Sequence, residues 1–161
     1  MRIETESALT LAAVIHNDLA AINKLEQYVG QFLASDLARA EVDSLGFALH
    51  NLYNALENSF TQISLSFENH VRDQTRWHRE LLEKMFLNLG ALRPAVLGSE
   101  ARALLADLLG FRHIFRHAYE LTLDQAKTVA LWKRWQREGG AVTQSLANFA
   151  AELAKIGEAE M

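Results

Sequence analysis

The stretch Phe111-Arg112-His113-Ile114-Phe115-Arg116-His117-Ala118-Tyr119-Glu120-Leu121 decides how this chain is read. At about 100° per residue, Phe111, Ile114, Phe115, Ala118 and Leu121 fall on one side of a helix. That side is expected to bury. Arg112, His113, Arg116, His117, Tyr119 and Glu120 fill the remaining arc, which spans about 160°. The segment is therefore an amphipathic helix with a concentrated polar face, and it needs other helices to cover its apolar back.

Those helices are visible on both sides. Leu9, Ala12, Ala13, Ile15, Leu19, Ile22, Leu25, Val29 and Phe32 recur at steps of three and four, predicting a first helix from about Glu6 to Leu33. Ser35-Asp36 breaks it. A second helix is predicted from about Asp43, carrying Leu45, Leu49, Leu52, Leu56, Phe60, Ile63 and Phe67, with a polar turn over Asn69 to Thr75. A third spans Trp77 to Leu89 and stops at Gly90, with Pro94 excluding helix at Arg93. Ser99 is read as the N-cap of the helix that continues into the quoted stretch. Leu121-Thr122-Leu123 reads as a link, and Asp124 caps a last helix, which Gly139-Gly140 would kink or split. The economical architecture is all-α, an up-and-down bundle of four to five helices. No repeat or linker divides it, so residues 1–161 are read as a single domain.

Composition narrows the function classes. Half of the 161 residues are hydrophobic and 22% are charged, which suits a packed globular chain. Cysteine is absent, excluding disulfides and thiolate metal sites. No apolar run reaches the roughly 18–20 residues that cross a bilayer. The N-terminus carries early charges in place of a signal-peptide core, so no membrane association and a cytoplasmic location are expected. A net charge of −4 argues against a general nucleic-acid coat. Between Arg102 and Arg137, however, seven Lys/Arg stand against three Asp/Glu, a local +4 able to hold one stretch of phosphate backbone.

The polar arc has chemistry that fits a phosphodiester. Arginine offers a planar donor fork matched to phosphate oxygens, and histidine exchanges protons near neutrality. Cleaving RNA without a metal needs a base, an acid and positive charge at phosphorus. Arg112 and His117 lie about 140° apart on an ideal helix. They meet on one phosphate only through inward reach, local distortion or a second subunit. A solvated surface is the plain alternative. His113 and His117 at i,i+4 could also share a metal ion, but Arg112 and Arg116 would repel it; no metal or cofactor is expected.

The segment Arg112-x4-His117-x-Tyr119 resembles the R-x4-6-H motif of HEPN domains, and its tyrosine is typical of their HepT-like toxins. His50-Asn51-Leu52-Tyr53-Asn54-Ala55-Leu56-Glu57-Asn58, Trp77-His78-Arg79-Glu80-Leu81-Leu82 and Leu108-Leu109-Gly110-Phe111-Arg112-His113 are similar to HepT-like sequences too, so the resemblance covers most of the chain. It implies a HEPN helical bundle, usually a two-fold dimer with both motifs in one cleft. The implied activity is a metal-independent endoribonuclease, the toxin of a toxin–antitoxin pair. Arg112 would hold the scissile phosphate, His117 would act as general base or acid, and His113 would assist, with Arg116 supporting. The partner would be a minimal nucleotidyltransferase antitoxin that adds AMP to Tyr119, placing bulk and negative charge in the cleft. A non-catalytic helical partner of such a transferase is the rival reading.

Asn54, Glu57 and Asn58 follow His50 at helical spacing and form a polar stripe on the second helix. The resemblance implies that Glu57 pairs with Arg112 and holds it in place, as second-helix acidic residues do in some HEPN proteins, with Asn54 supporting; an exposed helix face is the alternative. His16, His70 and His78 show no partner pattern and are read as surface or core-edge residues. Trp77, Trp132 and Trp135 are read as packing or dimer-interface residues.

Overall fold

The computed structural model describes residues 1–68, 77–117 and 122–159. Five helices follow in chain order: α1 (Thr5–Gly30), α2 (Arg39–Glu68), α3 (Trp77–Met85), α4 (Arg102–His117) and α5 (Gln125–Ala159). A single 3-10 turn, Ser99–Ala101, leads into α4. Strands are absent among the described residues, and the architecture is the all-helical bundle of the HEPN type. The polar turn expected over Asn69 to Thr75, His70 included, lies outside the described residues.

The apolar stripes meet in one core. Leu11, Ile15 and Ile22 of α1, Leu45, Leu49, Leu52, Leu56 and Ile63 of α2, and Leu104, Leu105 and Leu108 of α4 are all buried. Helix α1 packs most extensively on α5 and α2, and α4 lies chiefly against α2. That last contact positions the polar segment. Two polar latches set the helices in register. Asn58 Nδ2 and Ser59 Oγ donate to Asp18 of α1, the latter at 2.7 Å. Trp135 Nε1 donates to Glu26 Oε1 at 2.7 Å, tying α5 to α1.

Several element ends differ from the sequence expectation, each for a local reason. Helix α2 begins at Arg39, four residues early, because the Glu41 carboxylate reaches back to the Ala38 N–H at 2.7 Å. Gly98, and not Ser99, precedes the 3-10 turn, and no side chain caps it. Asp124 does cap α5, its Oδ1 accepting from Lys127 N–H at 3.0 Å. Gly139-Gly140 does not split α5, which is continuous from Gln125 to Ala159. A side chain at Gly139 would collide with the Trp135 ring. Burial of Trp132, Trp135, Val142 and Leu146 on either side outweighs the roughly 1 kcal/mol helix penalty of each glycine.

Helix α3 ends at Met85 and not at Leu89, because its last carbonyls are taken by tertiary partners. Met85 O accepts from Val96 and Leu97 N–H at 2.9 and 3.1 Å. Arg93, fully buried, donates to Lys84 O, Leu87 O and Pro94 O and pairs with Glu68 Oε1 at 2.5 Å. Lys84 Nζ meets the other Glu68 oxygen at 2.9 Å. Burial alone would raise the Glu68 carboxyl, but hydrogen bonds from Lys84 and Arg93 outweigh it and hold it below the usual range. Gly90 takes a positive φ, +60°, in the loop that follows. Arg93→Ala removes the donor to three carbonyls and to Oε1 of the half-buried Glu68, which keeps Lys84 at its other oxygen. It should lower unfolding free energy by about 2–4 kcal/mol, read by urea denaturation with the buried tryptophans as reporters.

Candidate active site

Arg112 extends the buried stripe of α4, since it stands seven residues after Leu105 and four after Leu108. Its side chain is 13% exposed and turns inward against α2. There Nε donates to Asn54 Oδ1 at 2.6 Å, and Nη2 stands 3.1 Å from Glu57 Oε1. Asn54 and Glu57 lie one turn apart on α2, so a single helix face presents both acceptors to one planar guanidinium. Nη1 has no partner among the described residues.

Each acceptor has a histidine behind it. Glu57, 9% exposed in its side chain, meets His78 Nδ1 of α3 through Oε2 at 2.7 Å. The Trp77 ring lies on His78 with centroids 4.5 Å apart. Asn54 Nδ2 faces His50 Nε2 at 3.0 Å, and the His50 ring packs on Phe115 at 5.1 Å. Burial holds the His50 pKa below the ordinary imidazole value, and Arg112 and then Arg116 push it the same way. Tyr53, buried one residue before Asn54, has a hydroxyl with no partner among the described residues. Burial and then Glu57 drive its pKa up, with Arg112 opposing.

The remaining motif residues occupy the outer face of α4. His113 and His117 are exposed, their rings 4.8 Å apart, and Arg116 is exposed beside them. One chain therefore brings together Arg112, Asn54 and Glu57, while His117 stands on the exposed face of α4. Tyr119 lies outside the described residues, as do Ala118, Glu120 and Leu121. Among the described residues no group of three or more His, Asp or Glu is arranged to hold a metal ion.

Several expectations are corrected here. Ile114, assigned to the buried face, is 55% exposed, while Arg112, assigned to the polar arc, is the residue that goes inside. Polarity alone centred the wheel wrongly, because the inner stripe here ends on a charge that α2 neutralises. Asn58 does not belong with Asn54 and Glu57; one residue past Glu57, it turns to Asp18 on α1. His78, read as partnerless, is part of the cluster, and His50 is more than the head of a polar stripe. The spacing His50-Asn54-Glu57 at i, i+4 and i+7 was the available signal for His50. His78 has none, since its partner lies on another helix. Trp132 and Trp135 are core residues, and His16 is exposed as expected.

The family of HepT-like proteins matches residues 44–153. The chain belongs to the HepT-like family of the HEPN superfamily. The match takes in the α2 stripe, α3, α4 and most of α5. No curated protein and no solved structure matches the chain. Membership in the HepT-like family suggests a HEPN ribonuclease of the toxin type. No described helix is long and apolar enough to cross a membrane.

The buried pair and the exposed pairs of this protein should differ in strength. In double-mutant cycles, Glu57→Ala with Arg112→Ala should give a coupling of about 1–3 kcal/mol. Arg39 with Asp43, both exposed on α2, should give below about 0.5 kcal/mol. Thermal and urea unfolding of the four variants of each cycle would measure both.

Proposed function

We propose that this HepT-like protein is a metal-independent endoribonuclease, the toxin of a toxin–antitoxin pair. The observation that carries the proposal is Arg112, a guanidinium fixed at Nε and Nη2 with Nη1 unengaged by any described residue. A fixed fork with a spare donor is suited to a phosphate oxygen. In the reaction, the ribose 2′-oxygen attacks phosphorus and its proton passes to a base. The phosphorus–5′-oxygen bond breaks, and the leaving oxygen takes a proton from an acid. His117 serves as that base or acid, His113 assists, Arg112 and Arg116 offset the charge growing on the phosphorane, and Asn54 and Glu57 keep Arg112 in place. No cofactor takes part.

The 140° between Arg112 and His117, and the exposure of His117 where Arg112 turns inward, favour a two-fold dimer in which one subunit's Arg112 works with the partner's His117. Phe47 on α2 is 56% exposed and Ile114 on α4 is 55% exposed, and they flank the His50–Arg112 cluster in sequence. Large apolar side chains at such positions suit a covered interface. Packing of α1 on both α2 and α5 supports reading residues 1–161 as one domain. The antitoxin partner is a nucleotidyltransferase that joins the Tyr119 oxygen to the α-phosphorus of ATP, releasing pyrophosphate. The added AMP would carry negative charge toward Arg112 and Arg116 and compete with RNA.

Labelled RNA incubated with the protein in excess chelator tests the reaction. Cleavage should persist without metal and fall about 10²–10⁴-fold in His117→Ala. Loss of wild-type cleavage in chelator would refute metal independence. Absence of cleavage in any buffer, with stable binding to a co-expressed nucleotidyltransferase, would favour the non-catalytic partner reading.

Mixing two inactive variants tests the shared cleft. A dimer of Arg112→Ala with His117→Ala retains one intact site if the cleft is composite, so activity should return after subunit exchange. If both residues act within one chain, the mixture stays inactive.

A further inference from the structure

The hydrogen-bond chain around Arg112 has only one workable arrangement of protons. Arg112 Nε carries a hydrogen and no lone pair, so the Asn54 atom 2.6 Å away must be the oxygen. This fixes the amide, whose nitrogen then faces His50 Nε2 at 3.0 Å. Asn54 Nδ2 is also a donor without a usable lone pair. To serve both contacts of Asn54, His50 Nε2 must be the acceptor and the ring the neutral tautomer with its hydrogen on Nδ1, a buried atom that meets no partner among the described residues.

Protonating His50 breaks this chain at a definite place. A hydrogen on Nε2 would confront the hydrogens of Asn54 Nδ2. Turning the amide by 180° would satisfy the imidazolium but set Nδ2 against Arg112 Nε, donor against donor. No orientation of Asn54 serves both neighbours. The charged groups bearing on the ring, Arg112 and Arg116, both come from α4 and both oppose the cation. His78 behaves differently: its Nδ1 can donate to Glu57 Oε2 whether the ring is neutral or charged. Of the two histidines, His50 is the one whose protonation removes a contact on which Arg112 depends.

We propose that His50 is a positioning residue which, as the neutral Nδ1–H tautomer, locks Asn54 and through it the Arg112 guanidinium, and that its protonation releases Arg112. The functional half of this proposal rests on the ribonuclease reading of Arg112. The structural half does not.

The test uses the full chain, ¹⁵N-labelled, with wild type, His50→Gln and His50→Lys. Glutamine offers an acceptor oxygen that stays uncharged, and lysine imposes the donor-only state. Long-range ¹H–¹⁵N spectra at neutral pH should show His50 Nε2 without hydrogen and Nδ1 with it. As pH falls, His50 should gain a proton and the Arg112 Hε signal should move with the same midpoint; in His50→Gln that signal should stay put over the same range. An Nε2–H tautomer, or an Arg112 signal indifferent to His50, overturns the proposal whether or not RNA is cut.

RNA cleavage reads the functional half. His50→Gln should keep kcat within about threefold of wild type at neutral pH and lose the acid-side fall that His50 causes. His50→Lys should lose about 10²-fold in kcat, the scale of a misplaced catalytic group. Equal loss in both variants, with helical content intact, would overturn positioning by an acceptor. A wild type that cuts no RNA would defeat the ribonuclease reading while the spectra still decide the lock. The same proton has a stability signature. Because folding lowers the His50 pKa, its contribution is complete above about pH 6.5 and is lost as pH falls through the folded value. His50→Gln should flatten that part of the melting-temperature profile.

Discussion

The structure turns on an arginine placed where the packing pattern asks for an apolar residue. Arg112 follows Leu105 and Leu108 on the inner stripe of α4, and α2 can accept it there only because Asn54 and Glu57 stand opposite. A guanidinium removed from water without such partners would cost several kcal/mol. Glu57 alone would balance the charge but leave Nε unmet. The amide of Asn54 completes the fork, so charge and hydrogen bonding are satisfied at once. This requirement fixes how α4 sits on α2, and with it the outward direction of His113, Arg116 and His117.

The cluster reaches beyond that helix pair. Glu57 also accepts from His78, which ties α3 to the same point and backs it with Trp77. The connection after α3 is in turn pinned by Arg93, whose guanidinium holds Glu68 at the end of α2. Two inward arginines, whose partners Glu57 and Glu68 stand about 16 Å apart along α2 by the rise of eleven residues, thus anchor the helices and loop that frame the site. They differ in where the unpaired nitrogen lies. Arg93 is fully enclosed, and its Nε is buried without a partner among the described residues. The Arg112 side chain is 13% exposed, and its Nη1 has no partner among the described residues.

Much of this was legible in the sequence, for a definite reason. Apolar residues at steps of three and four are a local signal, and they located all five helices, though the ends of α2 and α3 moved where Glu41 and Arg93 intervened. Asp124 was legible as a cap because its effect is confined to one turn. The pairing of Glu57 with Arg112 was anticipated only through the resemblance to HEPN proteins, since spacing along α2 names no partner on α4. The burial of Arg112 in place of Ile114 was not, because a hydrophobic wheel assigns charge to the outside and cannot see a carboxylate 55 residues away. His78 was invisible on the same ground. Gly139-Gly140 misled in the opposite direction, since a weak local preference against helix yielded to burial of the tryptophans nearby.

One objection is that a paired arginine is too well satisfied to hold a substrate, since Glu57 already opposes its charge. The geometry argues otherwise. A free surface arginine must surrender rotamer freedom when it grips a phosphate, a cost of about 2 kcal/mol of side-chain entropy. Arg112 has given up that freedom on folding, and Glu57 does not hold all of the guanidinium. The carboxylate divides itself between Nη2 and His78, which weakens its claim on the arginine while keeping the plane of the guanidinium fixed. What remains available is a donor with a set direction, and direction is what a reaction that builds charge at phosphorus requires. On this view the second oxygen of Glu57 matters as much as the first: His78 tempers the pair so that it orients Arg112 without using it up.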